Sequence, residues 1–398
     1  MPRIERIYLD YNATSPAKPE VAELMARVAM EGGNPSSVHG LGRKARAYIE
    51  DARKAVATLV NAFPPEVIFL GSGTEATDLV INGVAPANGI TDFVVNVAEH
   101  PAVRASAANS GMPVTELPVT SDGVVDLAAA EKIFDKLASE GRKAMVCVMV
   151  ANNETGVIQP VAQISQMVRD RNLGLVHCDA VQAIGKVPVD IVMLGADTMA
   201  LSAHKIAGPQ GVGALITREG VAIQPRLRGG GQEQGRRSGT ENVAGIAAFG
   251  LSAELALADL AHYTELSKDR DRLEAGLREM APDTVIFGEG QLRLPNTSNF
   301  AVPGVPSETA LMMLDLAGLE VSSGSACSSG KVGINQVLGA MGVEDHLIHG
   351  ALRFSLGFAS KPEHIDRFLD VWRTQVMPMR AQGSSAGANP QEMGGAFG

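Results

Sequence analysis

Short apolar runs alternate with longer stretches of helical spacing along the first part of the chain. The strand-like runs are VIFL near 67, DFVVNV near 92, MVCVMV near 145, LGLVHCDA near 173 and VGALIT near 212. Because these runs are apolar on both faces, they predict an α/β fold in which helices cover both sides of a parallel sheet, with right-handed crossovers. Ligands of such folds bind at the carboxyl ends of the strands.

The chain changes character after the polar stretch RRSGTEN at 236–242. Residues 243–281 are rich in Ala, Leu and Glu and contain no proline, so they predict one connecting helix that ends before Pro282. The later segments NTSNFAVPG, ALMMLDLAGLEVSSGSACSSG and ALRFSLG again alternate strand-like and helix-like patterns. They predict a second, smaller α+β unit.

These changes predict two domains and a tail. We expect a large α/β domain at residues 16–260 and a small α+β domain built from residues 1–15 and 261–380. Residues 381–398 are rich in Gly, Ser and Ala and have few large apolar side chains, so we expect them to form a mobile tail.

The composition is that of a folded, soluble protein, and it limits the classes of partner. The chain has 398 residues, 45% hydrophobic and 20% charged, which is enough to bury a substantial core. A net charge of -10 disfavours binding to nucleic acid or to an anionic membrane surface. The N-terminal segment has no apolar signal-like region, and no apolar run is long enough to cross a bilayer. We therefore expect a cytoplasmic protein with small-molecule or protein partners.

Three cysteines occur, and their spacing is not that of a metal site or a disulfide framework. Cys147 and Cys178 lie in apolar strand-like runs, which predicts buried structural thiols. Cys327 stands in SSGSACSSG, a run of small residues that predicts an accessible loop. An exposed thiol of this kind can become a thiolate and act as a nucleophile.

The segment LSAHKIAGPQGVGAL at 201–215 holds the most informative lysine. Most lysines are solvated surface residues, but Lys205 follows Ser202 and His204 and precedes a turn rich in Gly and Pro. The two neighbours offer hydrogen-bond donors for a phosphate group. A desolvated lysine amine loses its charge and becomes a nucleophile that forms Schiff bases, so we expect Lys205 to be functional.

Asp179 and Gln182 lie upstream in HCDAVQAIGK, where an apolar run ends. An isolated aspartate in this place could cap a helix. Alternatively, Asp179 could keep the ring nitrogen of pyridoxal phosphate protonated, with Gln182 in reach of the ring hydroxyl. His100, in VAEHPA, follows another strand-like run and could stack on the ring or have a structural role.

The segment FLGSGTEATDL at 69–79 predicts a strand, a Gly-rich turn and the start of a helix. Backbone N–H groups around Gly73 and the hydroxyl of Thr74 could bind a phosphate dianion there, although many such turns bind nothing. Together with Asp179 and Lys205, the turn supplies partners for the phosphate, the ring nitrogen and the aldehyde of one pyridoxal phosphate. The three features together favour a pyridoxal phosphate site more strongly than any one of them alone.

Ten segments give the chain a resemblance to the cysteine desulfurases, the group similar to IscS and NifS in class V of the aminotransferases. They run in the family's order from about residue 7 to residue 357. The segments are YLDYNATSP, GNPSSVHGLGRKAR, SGTEA, AEHPAV, ANNETGVIQP, HCDAVQAIGK, LSAHKIAGPQGVGAL, GGGQEQGRRSGTEN, SSGSACSSG and ALRFSLG.

The resemblance implies fold type I of the pyridoxal-phosphate-dependent transferases, a mainly parallel seven-stranded sheet in the large domain, and a homodimer. It implies that Lys205 forms the Schiff base with the cofactor, that Asp179 pairs with the ring nitrogen and that Gln182 meets the ring oxygen. It further implies a catalytic, ring-stacking role for His100. The phosphate ligands that it implies are Gly73, Thr74, Ser202, His204 and, from the neighbouring subunit, Thr240.

The resemblance also implies the substrate and the products. L-Cysteine would be bound through its carboxylate by Asn153, which also borders the cofactor, and by Arg353. Asn34 would also bind the substrate. Its sulfur would pass to Cys327 as a persulfide, with release of alanine, and then to an acceptor protein such as an iron–sulfur scaffold or an enzyme of thio-cofactor or tRNA thiolation. No intrinsic metal site is expected, although Cys327 could transiently ligate an iron–sulfur cluster together with a scaffold.

Two features depart from the family pattern. Thr77 and Asp78 stand where related sequences more often have asparagines after the Thr-Glu pair. The C-terminal segment has no stretch that matches the acceptor-docking tail of housekeeping members. The first could alter the hydrogen bonding of the site, and the second leaves open how sulfur is delivered.

Other functions stay open at this point. A selenocysteine lyase or another class V aminotransferase or lyase would use the same cofactor, but an aminotransferase needs no mobile cysteine. A catalytically silent scaffold is disfavoured by Lys205. A nucleotide-binding α/β protein is disfavoured because no GxGxxG or GxxxxGK[ST] follows a strand in the required context.

Overall fold

A computed structural model describes residues 5–323 and 335–380. The strands are β1 (Ile7–Tyr8), β2 (Val67–Leu70), β3 (Asp92–Asn96), β4 (Val114–Leu117), β5 (Ala144–Cys147), β6 (Gly174–Asp179), β7 (Thr198–Ser202), β8 (Gly213–Thr217), β9 (Val285–Ile286), β10 (Thr297–Ala301), β11 (Leu319–Glu320) and β12 (Leu352–Ser355). The α-helices are α1 (Pro19–Glu31), α2 (Gly40–Leu59), α3 (Gly73–Leu79), α4 (Ala85–Ala87), α5 (Pro101–Ala108), α6 (Leu127–Ser139), α7 (Val161–Asp170), α8 (Ile191–Leu194), α9 (Val243–Ala258), α10 (Leu260–Met280), α11 (Ser307–Leu316), α12 (Gln336–Ala340), α13 (Asp345–Ile348) and α14 (Pro362–Val371).

The central feature is a seven-stranded sheet in the order β2-β8-β7-β6-β5-β3-β4. Pairing is parallel from β7 through β4, as the apolar runs predict. The expectation of parallel pairing is wrong for β8, which runs antiparallel to both β2 and β7. The reason is the short link between β7 and β8, residues 203–212, which holds only a 3-10 turn, Ala203–Lys205, and no helix that could carry the chain across the sheet.

Strand residues of the sheet alternate between two apolar cores. In β2, Val67 and Phe69 pack in one core with α2, α6, α7 and α9, whereas Ile68 and Leu70 pack in the other with α3 and α5. These four residues are at most 5% exposed. Burial on both faces explains why the strands have continuous apolar runs instead of alternating ones.

The connection after the sheet consists of two helices. α9 and α10 meet at Asp259 with a bend of 63°, so the prediction of one connecting helix over 243–281 is wrong. α9 is rich in small and apolar residues and packs between α1 and α2, whereas α10 is charged and faces a different core. Lys18 binds the Asp259 carboxylate at 2.5 Å, at the bend. Among the residues that the model describes, no single helix is long and apolar enough to span a membrane; α9 and α10 pass that test only as a bent pair.

A further core lies around β10. The antiparallel sheet β12-β10-β9 packs against α10 and α14 through an aromatic cluster in which Phe368 stacks on Trp372 at 5.7 Å. Leu9 also belongs to this core, because β1 pairs with β11 and Asp10 bridges to Ser355. The domain boundary near residue 260 stays a prediction.

Candidate active site

The predicted site residues come together where the strands of the central sheet end. Asp179 is the last residue of β6 and Ser202 the last of β7, and these two strands are neighbours in register. The turn after β2 reaches the same edge because β8 lies between β2 and β7. Adjacent strand ends therefore bring together residues that are more than 100 positions apart in the sequence.

A cleft of about 310 Å³ opens at this edge. That size lies in the range of small-molecule binding sites. Ten of the residues that the sequence analysis selects line it: Gly73, Thr74, His100, Asn153, Asp179, Gln182, Ser202, His204, Lys205 and Arg353.

Lys205 lies in the 3-10 turn after β7 and contacts the N-terminal segment. Its Nζ donates hydrogen bonds to the backbone carbonyls of Asn12 at 2.7 Å and Ala13 at 2.8 Å. The turn itself is held to the same segment, because the Ser15 N–H donates to the carbonyl of His204 at 2.8 Å. A chain segment from the far end of the sequence thus fixes the position of the lysine.

Burial shapes the electrostatics of Asp179 and His100. Burial raises the pKa of Asp179, and the nearby His100 and a hydrogen bond from the Val181 N–H oppose this rise. Burial lowers the pKa of His100, which favours the neutral ring. His100 caps α5, with Nδ1 accepting from the Ala102 N–H at 3.1 Å, so a neutral ring carries its proton on Nε2.

The backbone of the turn at 71–73 packs closely against β8 and Val181. Ser72 caps α3 by accepting from the Glu75 N–H at 3.1 Å. A Cβ at Gly213 would lie 2.6 Å from the backbone carbon of Ser72, and one at Gly73 would lie 3.0 Å from Val181. Glycine is required where backbones approach this closely, so the turn can present its N–H groups at the start of α3 to an anion in the cleft.

His204 lies in the 3-10 turn next to Lys205, and burial favours its neutral form. Its Nδ1 lies 3.1 Å from the hydroxyl oxygen of Thr14. Burial lowers the pKa of His204 to about 4, with smaller contributions from the charges of Lys205 and Lys186. A neutral imidazole can donate one hydrogen bond without adding charge to the cleft.

Arg353 and Asn153 also line the cleft. Arg353 is 1% exposed, binds the Asp10 carboxylate at 2.6 Å and donates to the carbonyl of Asn153 at 3.2 Å. Its Nε is buried with no hydrogen-bond partner among the described residues. A guanidinium held from behind in this way can offer its remaining donors to a carboxylate in the cleft.

Two selected residues lie outside this cleft, and a third is not among the described residues. Asn34 lies in an exposed turn between α1 and α2, where its side chain accepts from the Ser36 N–H at 2.9 Å, and it does not line the cleft. Thr240 is exposed and also lies outside it. Cys327 lies outside the described residues. Cys147 and Cys178 are free and fully buried, as predicted, and burial raises the pKa of both thiols well above the usual range.

The departures Thr77 and Asp78 occupy different environments. Thr77 is 1% exposed and lines the cleft. Asp78 does not line the cleft. Its carboxylate accepts a hydrogen bond from Asn82 at 2.7 Å and pairs with Arg226 at 3.4 Å.

The structure also reveals two residues that the sequence analysis did not select. Asn12 accepts from Lys205 and Gln182 through its carbonyl, and its side chain contacts Lys186. Lys186 is 1% exposed. Both stand in segments that carry the family resemblance, YLDYNATSP and HCDAVQAIGK, and this was the one available signal.

The cleft therefore combines a lysine amine, a buried carboxylate, a neutral histidine, a helix start and a buried arginine. This set can bind an anion at the helix start, pair with a protonated ring nitrogen and form a covalent bond to a carbonyl carbon. It can also orient a small carboxylate and move a proton.

Comparisons with known proteins agree with this chemistry. The family model for class V aminotransferases matches residues 7–368. A cysteine desulfurase from Cereibacter sphaeroides is 41% identical over 95% of this chain and 97% of its own length. The cysteine desulfurase IscS from Dictyoglomus turgidum is 39% identical over 94% of this chain and 95% of its own length. A solved structure titled NifS-like protein superimposes with a TM-score of 0.85 at 35% identity, covering 92% of this chain and 98% of that one.

Proposed function

The chain belongs to the class V aminotransferase family, and from this premise we propose that it is a cysteine desulfurase that uses pyridoxal phosphate. In the proposed reaction, L-cysteine gives L-alanine and a persulfide on Cys327. The observation that carries the proposal is the convergence of Lys205, Asp179, His100 and the turn at 71–73 on one cleft. The high identity to cysteine desulfurases along nearly the whole chain supports the choice of substrate.

The residues of the cleft fit the proposed cofactor. The start of α3, Ser202 and the neutral His204 supply donors for a phosphate. Asp179 uses one carboxylate oxygen for the Val181 N–H, and its other oxygen suits a protonated ring nitrogen. Lys205 would hold the aldehyde carbon. When bound, pyridoxal phosphate supplies an electron-withdrawing ring that stabilises negative charge at the α-carbon of the amino acid.

The cleft residues would then orient the substrate and move its protons. Arg353 would bind the substrate carboxylate through two parallel hydrogen bonds, which fixes the direction in which the α-hydrogen points. Once released from the cofactor, the Lys205 amine would accept the α-proton. The Nε2–H of His100, which also lines the cleft, gives a neutral donor.

Cys327 would receive the sulfur. Its thiolate attacks the sulfur of the bound cysteine, so an S–S bond forms while the bond from sulfur to the β-carbon breaks. The electron pair of the broken bond passes to the substrate, which takes up protons and leaves as alanine. L-Cysteine and the Cys327 thiol are thereby converted to L-alanine and a Cys327 persulfide, with atoms and electrons balanced.

We further propose that the enzyme is a homodimer in which Thr240 contributes to the phosphate site of the neighbouring subunit. The exposure of Thr240 and its position outside the cleft of its own chain support this. We also propose a sulfur-acceptor protein, such as an iron–sulfur scaffold, as the partner. A cytoplasmic location would keep the free thiols Cys147 and Cys178 and the persulfide-forming Cys327 in a reducing compartment.

The test is release of alanine and sulfide from L-cysteine in the presence of a thiol reductant, with the absorbance spectrum recorded in parallel. Cys327→Ala is expected to keep the cofactor absorbance and lose sulfide release. The matched control Cys147→Ala changes a buried thiol in β5 and is expected to keep both. If the wild type binds the cofactor and yet forms no alanine from L-cysteine, the proposed function is wrong, and L-selenocysteine is the next substrate to test.

A further inference from the structure

A buried lysine behind the cleft has no role in the reaction proposed above. Lys186 follows β6 and is 1% exposed, although lysine is rarely buried without a charged partner. No ion pair joins it to a carboxylate in the described part of the chain. Its Nζ donates instead to two amide oxygens, Gln182 Oε1 at 2.6 Å and Asn12 Oδ1 at 2.7 Å.

The two acceptors of Lys186 both contact the catalytic lysine site. Gln182 donates from Nε2 to the carbonyl of Asn12 at 2.8 Å, and Lys205 donates to the same carbonyl at 2.7 Å. The Asn12 side chain is further held by Thr297 at 2.9 Å and by the carbonyl of Asn153 at 3.2 Å. Asn12 thus contacts both lysines, Lys186 through its side chain and Lys205 through its carbonyl.

Lys186 and the Asn12 carbonyl set the orientation of the Gln182 amide from its two ends. A side-chain amide can rotate to exchange its oxygen and nitrogen, and lysine has donors but no acceptor. Because Lys186 bonds to Oε1, Nε2 must be the other end, where it bonds to Asn12. Gln182 lines the cleft, so its second N–H is left to donate to a ligand.

The backbone around Lys186 holds this arrangement in place. Gly185 has φ +68°, and a Cβ there would lie 2.9 Å from Ile206, the residue after Lys205. The turn that carries Lys186 therefore packs directly against the turn that carries Lys205. Neither turn can shift without the other.

The charge of Lys186 fits its two partners. Burial lowers the pKa of the Lys186 amine well below its usual range, and the positive charges of Lys205 and Arg353 add to this effect. A neutral amine has two N–H donors, which match the two acceptors present. It leaves no buried N–H without a partner and adds no positive charge beside Lys205.

We propose that Lys186 is a positioning residue that holds the Gln182 amide by its oxygen, so that the amide nitrogen is left to donate to the cofactor. This inference rests on the proposed pyridoxal phosphate site. It assigns to Lys186 no contact with the substrate or the cofactor. Its effect should therefore depend on Gln182 being present.

A double-mutant cycle tests this dependence, with the affinity of the apo-protein for pyridoxal phosphate as the readout. Lys186→Met keeps most of the side-chain volume and removes the donors. We expect it to weaken cofactor binding about tenfold, the size of one buried hydrogen bond lost. In a Gln182→Met background the same change should cost less than about twofold, because the partner is already absent. An equal loss in both backgrounds would overturn the proposal.

Two further variants separate positioning from folding. Lys18→Met is the matched control, since Lys18 is a half-buried lysine outside the cleft, and it should bind the cofactor as the wild type does. Lys186→Gln keeps two N–H donors on a neutral group and should retain more affinity for the cofactor than Lys186→Met. This variant keeps the inference testable if the methionine variant folds poorly. A wild type that binds no pyridoxal phosphate would overturn the proposed function, whereas wild-type affinity in Lys186→Met would overturn this inference alone.

Discussion

The Nζ atom of Lys205 lies 2.7 Å from the backbone carbonyl oxygen of Asn12, a residue 193 positions earlier in the chain. Lys205 is therefore positioned by main-chain atoms, which no side-chain substitution at residue 12 removes. Released from a cofactor, the amine has two carbonyl acceptors, Asn12 and Ala13, within hydrogen-bonding distance.

Loss of the Lys205 amine should abolish both covalent cofactor binding and turnover. We expect Lys205→Ala to lose the absorbance band of the covalently held cofactor and to lower alanine formation by at least about 1,000-fold, as for loss of an active-site nucleophile. Spectra and alanine release measure the two effects. Lys205→Arg keeps the charge but is expected to fail equally, and full activity in either variant would exclude Lys205 from catalysis.

Replacement of Arg353 should impair substrate binding more than cofactor binding. Arg353→Lys removes the planar fork while keeping the charge, so we expect KM for L-cysteine to rise about 10- to 100-fold. Steady-state kinetics and cofactor titration separate the two effects. Arg293→Lys is the control, because the Arg293 side chain is only 5% exposed and pairs with Glu274 at 2.7 Å but lies outside the cleft. An unchanged KM would contradict the role of Arg353.

Glu154 should make stability fall as the pH rises toward neutral. Burial raises the pKa of Glu154 from its ordinary value of 4.5 to about 7, against the opposing effects of Asn335 and Arg353. Between pH 4.5 and about pH 7, Glu154 is ionised in the unfolded chain but keeps its proton in the folded protein. The neutral carboxyl therefore contributes its full stability below pH 4.5, and this contribution is lost as the pH rises through about 7. At about 1.4 kcal/mol per pKa unit, the effect is roughly 3 kcal/mol.

Glu154→Gln isolates this effect, because the amide is neutral at every pH and can still accept from Asn335. Relative to the wild type, the variant should be more stable at pH 8 than at pH 5. Urea unfolding at both pH values, at one protein concentration, measures the difference. The same difference at both pH values would show that Glu154 titrates normally.

The ion pair between Arg53 and Glu233 should stabilise the conformation of the segment that leads to Thr240. Arg53 binds both carboxylate oxygens of Glu233 at 2.9 Å, and the Phe69 N–H donates to the same carboxylate at 3.0 Å. Glu233 has φ 49°, a left-handed conformation that is unfavourable for glutamate. The buried pair holds it there.

Arg53→Met should destabilise the protein by about 3–5 kcal/mol, because it leaves a buried carboxylate without its partner. Urea unfolding provides the measurement. Lys54→Met is the neighbouring control: its pair with Asp51 is exposed, so the change should stay within about 0.5 kcal/mol. Arg53→Met combined with Glu233→Met should recover part of the loss, and no recovery would argue against a coupled pair.

The sequence alone was sufficient for the α/β class, the strand runs and most of the cleft residues. Apolar runs reveal strands because a sheet buried on both faces tolerates few polar residues, as Ile68 and Phe69 on opposite faces of β2 illustrate. Site residues such as Asp179 and Ser202 could be predicted for a related reason. Polar side chains at the ends of buried strands meet at one edge of the sheet.

Only the tertiary structure decided the features that depend on distant contacts. The antiparallel direction of β8 follows from a link too short for a crossover, and the 63° bend at Asp259 follows from two helices that face different cores. The same holds for Asn12 and Lys186, whose hydrogen bonds join residues up to 193 positions apart. Periodicity and local propensity describe the neighbours of a residue along the chain, whereas these interactions arise between residues that only folding brings together.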